Sequence, residues 1–344
     1  MIRKSQNKGS ERGAVLLTTL LIMTLMAALS VALMEDIRFA IKRAAHTQSY
    51  AQADWYAVSA EDFAVSYLTQ EFANLPPVRI NEKLNNITPF IIPIDGGFIS
   101  LNVRDGSQCF SLARLIEEPA RLEFENLLTG LGLNNFAARR ISFAAADWID
   151  ADSQLSQNGA EDFTYLVRDP AYRTANANFT SVMEIRAING MSEDIYQKIR
   201  PFICARPDGE VNGLNINTMT IEQLPLLAAS LGGGVENAQR AENLILNRPP
   251  NGYQDATEVL GNSDDEADVP ENINVENVTF IPTHIWVEAD IRYRNARRVV
   301  SMEFAVNATD IRRIARFMGP ESRRPAPVSQ NVTPRQRNRL SGRN

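Results

Sequence analysis

The 344-residue chain is poor in the side chains that most enzymes use for chemistry. It holds two histidines, His46 and His284, and two cysteines, Cys109 and Cys204. Four such residues leave little material for a soft-metal site of the zinc type, and a nucleophilic triad would have to use one of those histidines. Basic residues are also scarce where a nucleic acid would need them. The two ends are basic, but residues 14–319 hold 25 Lys/Arg against 39 Asp/Glu, a net of −14. A body that acidic repels phosphate and argues against a nucleic-acid partner on electrostatic grounds. Glycine and proline are missing altogether from Ala14 to Asn74, so 61 residues run without a helix breaker. Charge is missing from Gly13 to Met34.

What is present follows from those gaps. The 22 uncharged residues from Gly13 to Met34 would span about 33 Å as a helix, close to the hydrocarbon thickness of a bilayer. The basic flank of Arg3, Lys4, Lys8 and Arg12 should stay cytoplasmic, placing the rest of the chain across the membrane. A cleaved export signal is the alternative, although its apolar core would be shorter. Further along, Ala53, Tyr56, Ala57, Ala60, Phe63, Ala64, Tyr67 and Leu68 recur at the spacing of one buried helix face, and Pro76-Pro77 ends the run. One continuous helix is predicted, half in lipid and half on a globular domain.

This leader, ending at Gly13 before an apolar stretch opened by Ala14, resembles the amino terminus of type IV prepilin-like proteins. The resemblance implies cleavage between Gly13 and Ala14 by a prepilin peptidase, methylation of the new terminus, and retention of the whole helix. Most such proteins carry Glu at the fifth mature position; here it is Thr18. A carboxylate in hydrocarbon is costly unless paired, so Thr18 frees the subunit from that assembly pair. In this the chain resembles the minor pseudopilin K family of type II secretion systems.

The rest of the sequence extends the resemblance to about Phe317. Phe98–Val103 reads as a strand after Asp95-Gly96-Gly97, and His284–Arg294 and Arg298–Val306 alternate as a hairpin around Asn295. The predicted fold class is α+β: a pilin-like long N-terminal helix packed on a small antiparallel sheet, with a large inserted all-α domain. The expected organisation is a leader at 1–13, a transmembrane half-helix at 14–34, and a periplasmic helix with first strands at 35–107. An inserted helical domain at 108–278, closing strands at 279–318 and a disordered basic tail at 319–344 complete it. By resemblance the protein is a non-enzymatic subunit at the tip of a periplasmic pseudopilus, initiating or capping its assembly and helping folded proteins across the outer membrane. Its partners would be minor pseudopilins I and J, other pseudopilins and the peptidase, with the secreted substrates a further candidate, and its anchor a single pass in the inner membrane.

An acidic loop, DWIDADSQLSQNGAED at 147–162, crowds Asp147, Asp150, Asp152, Glu161 and Asp162 together with no basic residue between them. Asp150, Asp152 and Glu161 fall at positions 1, 3 and 12 of a helix-loop-helix calcium loop, but position 6 is Leu155 where glycine is needed. Hard oxygen donors without His or Cys suit calcium, in a structural role. The alternative is a solvated loop whose charges point apart. The segment resembles the D-W-x-D-x-D…G-A-E-D…Y run of the K family, completed here by Tyr165, and that resemblance implies calcium. Asp150, Asp152 and Glu161 are the first expected ligands, then Asp147 and Asp162.

Other stretches offer rival readings. FTSVMEIRAING at 179–190 reads as a helix capped by Thr180 or Ser181, and 214–227 with 241–260 resemble the helix-hairpin-helix units of competence-type DNA receptors. A membrane-anchored DNA receptor is therefore the alternative function. Against it, residues 208–268 hold eleven Asp/Glu against Arg240 and Arg248 only. An anchored hydrolase using Asp147, Asp150 and Glu161 lacks any nucleophile motif. In an oxidising compartment Cys109 and Cys204 would form a disulfide; two buried thiols are the other possibility. A second acidic run, Asp264-Asp265-Glu266 with Asp268, reads as an exposed loop, and the arginine-rich tail as solvated chain.

Overall fold

The computed structural model describes residues 9–72, 75–206, 213–260, 277–306 and 311–319. Helix α1 (Gly9–Phe72) is unbroken for 64 residues, as the run without glycine or proline demands. Its first half is apolar and exposed all round, and is long and apolar enough to cross a membrane. Its second half lies on a sheet through Ala53, Ala57, Ala60, Ala64 and Leu68, each at most 1% exposed. The predicted face is the buried one. Four alanines in that row bring the helix backbone close to the strands, and larger side chains flank them.

Pro76 and Pro77 do more than stop α1: they open helix α2 (Pro77–Asn86), where a proline in the first turn wastes no hydrogen bond. Strands β1 (Phe90–Ile94) and β2 (Gly97–Asp105) follow as a hairpin, with Gly96 turning at φ +84°. The chain then leaves the sheet for a helical domain. Its elements are β3 (Phe110–Ser111), α3 (Glu118–Gly130), α4 (Asn135–Ile149), α5 (Asp162–Leu166), α6 (Glu193–Ile199), β4 (Ile203–Cys204), β5 (Leu214–Asn215), α7 (Leu224–Ser230), α8 (Gly234–Leu246), α9 (Ala256–Leu260) and β6 (Val278–Thr279). Two short parallel pairs, β3 with β4 and β5 with β6, are additions to a domain read from sequence as wholly helical. Strands β7 (His284–Tyr293), β8 (Ala296–Val306) and β9 (Ile311–Met318) complete a five-stranded antiparallel sheet of order β1-β2-β7-β8-β9. Arg294, at φ +49°, and Asn295 form the tight β7–β8 turn.

Two separate cores result. One joins α1 to the inward rows of the sheet, including Leu101, Val287, Ala289, Val300, Met302 and Phe304. The other, centred on Phe124, Leu127, Ile141, Trp148, Tyr165 and Leu227, belongs to the insert. The insert hangs from neighbouring strand ends: Asp105 pairs with Ile285, and Gly106 N–H donates to His284 C=O at 2.9 Å. Cys109 and Cys204 are joined by a disulfide at this root, across 95 residues of sequence. Beside it Arg206 donates to Glu303 Oε1 at 3.0 Å from Nε and 2.5 Å from Nη2. Both partners of that pair are at most 1% exposed. The Asp105 carboxylate, also buried, accepts from Ser107 N–H, Asn215 and Thr218 at 2.5–2.7 Å. Burial raises the Asp105 pKa above the usual carboxylate value, and these hydrogen bonds oppose the rise.

Several elements differ from the sequence reading. The helix expected over 179–190 is a short 3-10 turn, Val182–Ala187, capped by Ser181. β9, with Arg312, Arg313 and Arg316 on its face, hides its alternation behind charge. The leader residues 1–8, the acidic run at 264–268 and the tail beyond Gly319 lie outside the described residues.

Candidate metal centre

Helix α4 delivers Asp147 to the acidic loop from its last turn, fully buried, while Asp150 is the residue on which the helix ends. The loop then folds back so that Glu161 caps α5 beneath them. Trp148 and Tyr165, from the two ends of the segment, close it from the core side with rings edge-to-face at 5.3 Å. Burial pushes the Tyr165 hydroxyl up to about 12, and that hydroxyl accepts the Asn189 N–H at 3.2 Å.

The fold selects three of the five acidic residues. One carboxylate oxygen each from Asp147, Asp150 and Glu161 lies within 4.8 Å of the others, and among the described residues this is the one such cluster. Asp147 Oδ2 accepts the Ala160 N–H at 2.9 Å and the Ser156 N–H at 3.3 Å. Glu161 Oε2 accepts the Asp162 N–H at 3.3 Å. The remaining oxygens, Asp147 Oδ1, Asp150 Oδ1 and Glu161 Oε1, are buried and accept no hydrogen bond. Buried unpaired carboxylate oxygens are expensive, so this geometry fits a hard cation between them. Burial first, then the charges of Asp152 and Asp147, raises the Asp150 carboxyl to about 6. Burial likewise raises Glu161, with Asp147, Asp150 and Asp162 adding repulsion.

The other two expected ligands go elsewhere. Asp152 is exposed and accepts the Gln154 N–H at 2.7 Å as a local turn. Asp162 accepts Thr174 Oγ1 at 2.9 Å and Arg173 at 2.6 Å, which together hold its pKa below the ordinary value. Gly159, which sequence reasoning did not single out, completes the cradle: a Cβ there would collide with the Asp147 carboxylate. Its signal is the need for a side-chain-free residue where the loop crosses the helix end.

A second expected site, Thr18, lies in the apolar half of α1. Thr18 donates its hydroxyl to Val15 C=O at 2.9 Å, so it is satisfied within its own helix where a carboxylate would need a partner. The Gly13–Ala14 bond lies inside α1. The glycine turn between α7 and α8 gives no phosphate cradle. Gly232 and Gly233 donate their amides to Ala229 and Ala228 carbonyls, and Gly233 packs against Asn126.

A family model described as type II secretion system (T2SS), protein K, matches residues 107–208, and a second of the same description matches 214–272. A type II secretion system protein K from Pectobacterium carotovorum subsp. carotovorum is 33% identical over 257 residues, covering 72% of this chain and 78% of that protein. The chain belongs to the type II secretion system protein K family. The protein K of Klebsiella pneumoniae is 29% identical over 298 residues, covering 83% of this chain and 90% of its own length. A crystal structure of the GspK-GspI-GspJ complex from the enterotoxigenic Escherichia coli type 2 secretion system contains a chain of the same fold. It matches with a TM-score of 0.66 at 24% identity, over 80% of this chain and 99% of that one. The two family-model matches lie within the helical insert, while the long helix and the sheet supply the α+β pilin-like frame.

Proposed function

We propose that this protein is the tip subunit of a type II secretion pseudopilus, a non-enzymatic minor pseudopilin that initiates or caps the filament. The observation that carries the reading is the pairing of a membrane-length apolar rod with a bulky insert in a chain of the protein K family. A filament subunit needs the rod for lateral packing; a domain the size of this insert at the end of the head obstructs a subunit stacking above it. Thr18, satisfied within α1, supports the same position, because a terminal subunit has no need of the usual inter-subunit carboxylate pair.

In this reading a prepilin peptidase cleaves before Ala14, the rod stays in the inner membrane and the head faces the periplasm. The partners are minor pseudopilins I and J; a fold relative was crystallised in a GspK-GspI-GspJ complex. Asp147, Asp150 and Glu161 hold a structural calcium ion, which supplies positive charge among the three carboxylates and nothing else. Its effect on this chain is to tie the 150–161 loop to the ends of α4 and α5. The test is genetic and chemical together. Cells lacking the protein should retain exoproteins in the periplasm, and the full chain should restore their release with Ala14 as the mature terminus. Restored release with a terminus beyond Met34 would overturn the reading.

A further inference from the structure

The charge of the chain is sorted along its length. The insert, residues 106–283, holds 12 Lys/Arg against 26 Asp/Glu, whereas residues 320–344 hold six arginines against Glu321 alone. The fold roots these two segments at opposite ends of the sheet. The insert leaves where Asp105 pairs with Ile285. β9 starts at that same end, with Ile311 opposite Val306, and runs back along α1, where Arg316 pairs with Glu61 at 3.5 Å. It finishes where Gly319 N–H donates to Val299 C=O at 2.9 Å. The neighbouring Arg298 donates to Asp54 at 2.5 Å and lies over the Tyr50 ring. Helix α1 is exposed up to Gln48 and first buried at Ser49, so Gly319 stands at the end of the head nearest the apolar half of α1.

The stretch of α1 below the head carries the marks of a lipid boundary. Past Glu35 and Asp36, Ile37, Phe39 and Ile41 are 58%, 69% and 63% exposed, interleaved with Arg38, Lys42 and Arg43. From Ala14 to Ile41 the helix measures about 42 Å, the thickness of a bilayer with its headgroup layers. Arg38, Lys42 and Arg43 then stand at phosphate level, where long basic side chains hold their charge in water and their stems on apolar surface. Distance decides which anionic surface the chain beyond Gly319 meets first. Arg323 and Arg324, four and five residues on, lie within about 17 Å of it at full extension. From Asp54 down to Lys42 is about 18 Å of helix. The root of the acidic insert is a full β9 length away, about 27 Å. An anionic leaflet also repels the insert, turning that acidic mass outward and the basic segment inward.

We propose that residues 320–344 bind anionic phospholipid on the side of the membrane that carries the head, with their arginines on lipid phosphates. The proposal rests on the reading of α1 as a membrane anchor and goes beyond it. The anchor alone lets the head turn about the stalk; a second attachment at the β9 edge fixes the face that the head turns to the bilayer. Guanidinium–phosphate contacts are strong hydrogen bonds but solvent-exposed ones, so this attachment loosens with salt, while the anchor does not.

The experiment reconstitutes the full-length chain in nanodiscs of phosphatidylcholine, with or without about one-third phosphatidylglycerol. Ser341→Cys carries a fluorophore, the native cysteines being already bonded to each other, and its quenching by a nitroxide on the lipid headgroup is read. Quenching should be at least about fivefold greater in the anionic discs and should vanish in about 0.5 M salt. Replacing Arg335, Arg337, Arg339 and Arg343 together by glutamine should remove the difference between the two compositions. The same label at Glu236→Cys, on the insert, should stay unquenched in both. Equal quenching of position 341 in the two discs, as attachment to the insert would give, overturns the proposal. Quenching that survives the four arginine substitutions overturns it as well. If the chain fails to stay in the discs at all, the anchor reading falls instead, and the two failures are thereby told apart.

Discussion

The head and the insert solve the same problem in different ways. The head buries one face of a 64-residue helix against a five-stranded sheet, and each element is long enough for its period to organise the core. The insert has no helix longer than 15 residues among its described elements. Helices that short are marginal by themselves. The insert therefore leans on point attachments: a disulfide, a buried ion pair, a polar cluster around Asp105 and the acidic centre. Continuous packing makes a structure tolerant; fasteners make it dependent on single residues.

The contrast can be broken most strongly at the disulfide. Replacing Cys109 and Cys204 by serine opens a 95-residue loop, a loss of about 4–5 kcal/mol on loop entropy. Calorimetry should show the insert melting well below the head, two transitions where the native protein gives closer ones. Arg206→Ala comes next, leaving Glu303 buried without its cation, with Glu303 Oε2 already unpaired. A cost of about 3–5 kcal/mol is expected in denaturant unfolding, and the double variant Arg206→Met with Glu303→Leu should regain most of it.

The acidic centre follows. Saturating calcium should stabilise the insert by about 2.7 kcal/mol at a hundredfold excess over Kd, read as a thermal shift that a chelator reverses. Gly159→Ala should abolish that shift by displacing Asp147. The shift should also fade with acid. With Asp150 raised to about 6, protons compete with the cation as pH falls through that value. Without metal the sign reverses: the folded carboxyl binds its proton more tightly than the unfolded one, so the metal-free domain loses stability as pH rises from about 4 to 6. A calcium shift of equal size at pH 5 and pH 7.5 would remove the cluster as the binding site. The smallest effect belongs to the head, where Ala60→Leu should cost about 1–3 kcal/mol by forcing α1 off the sheet, with no change in the insert's own melting.

The same contrast governs what the sequence reveals. The rod, its buried alanine face and the β7–β8 hairpin are legible because period and breaker-free length are local properties. β1 was invisible because FIIPI has no alternation, and β9 because arginines interrupt it. At the acidic centre the residue types point to a hard cation, but linear spacing ranks Asp152 ahead of Asp147. The three-dimensional path reverses that order: α4 holds Asp147 inward, while Asp152 lies past the helix end in an exposed turn. Arg206 and Glu303, 97 residues apart, carry no sequence signal of their meeting.

The insert leaves and rejoins the sheet at strand ends that already face each other, Asp105 opposite Ile285 with Gly106 hydrogen-bonded to His284. To the sheet, therefore, residues 106–283 are topologically one oversized hairpin loop. A tight turn in its place would leave every strand pairing intact, so the headpiece can gain, lose or exchange its cargo-sized ornament without redesigning the scaffold that carries it.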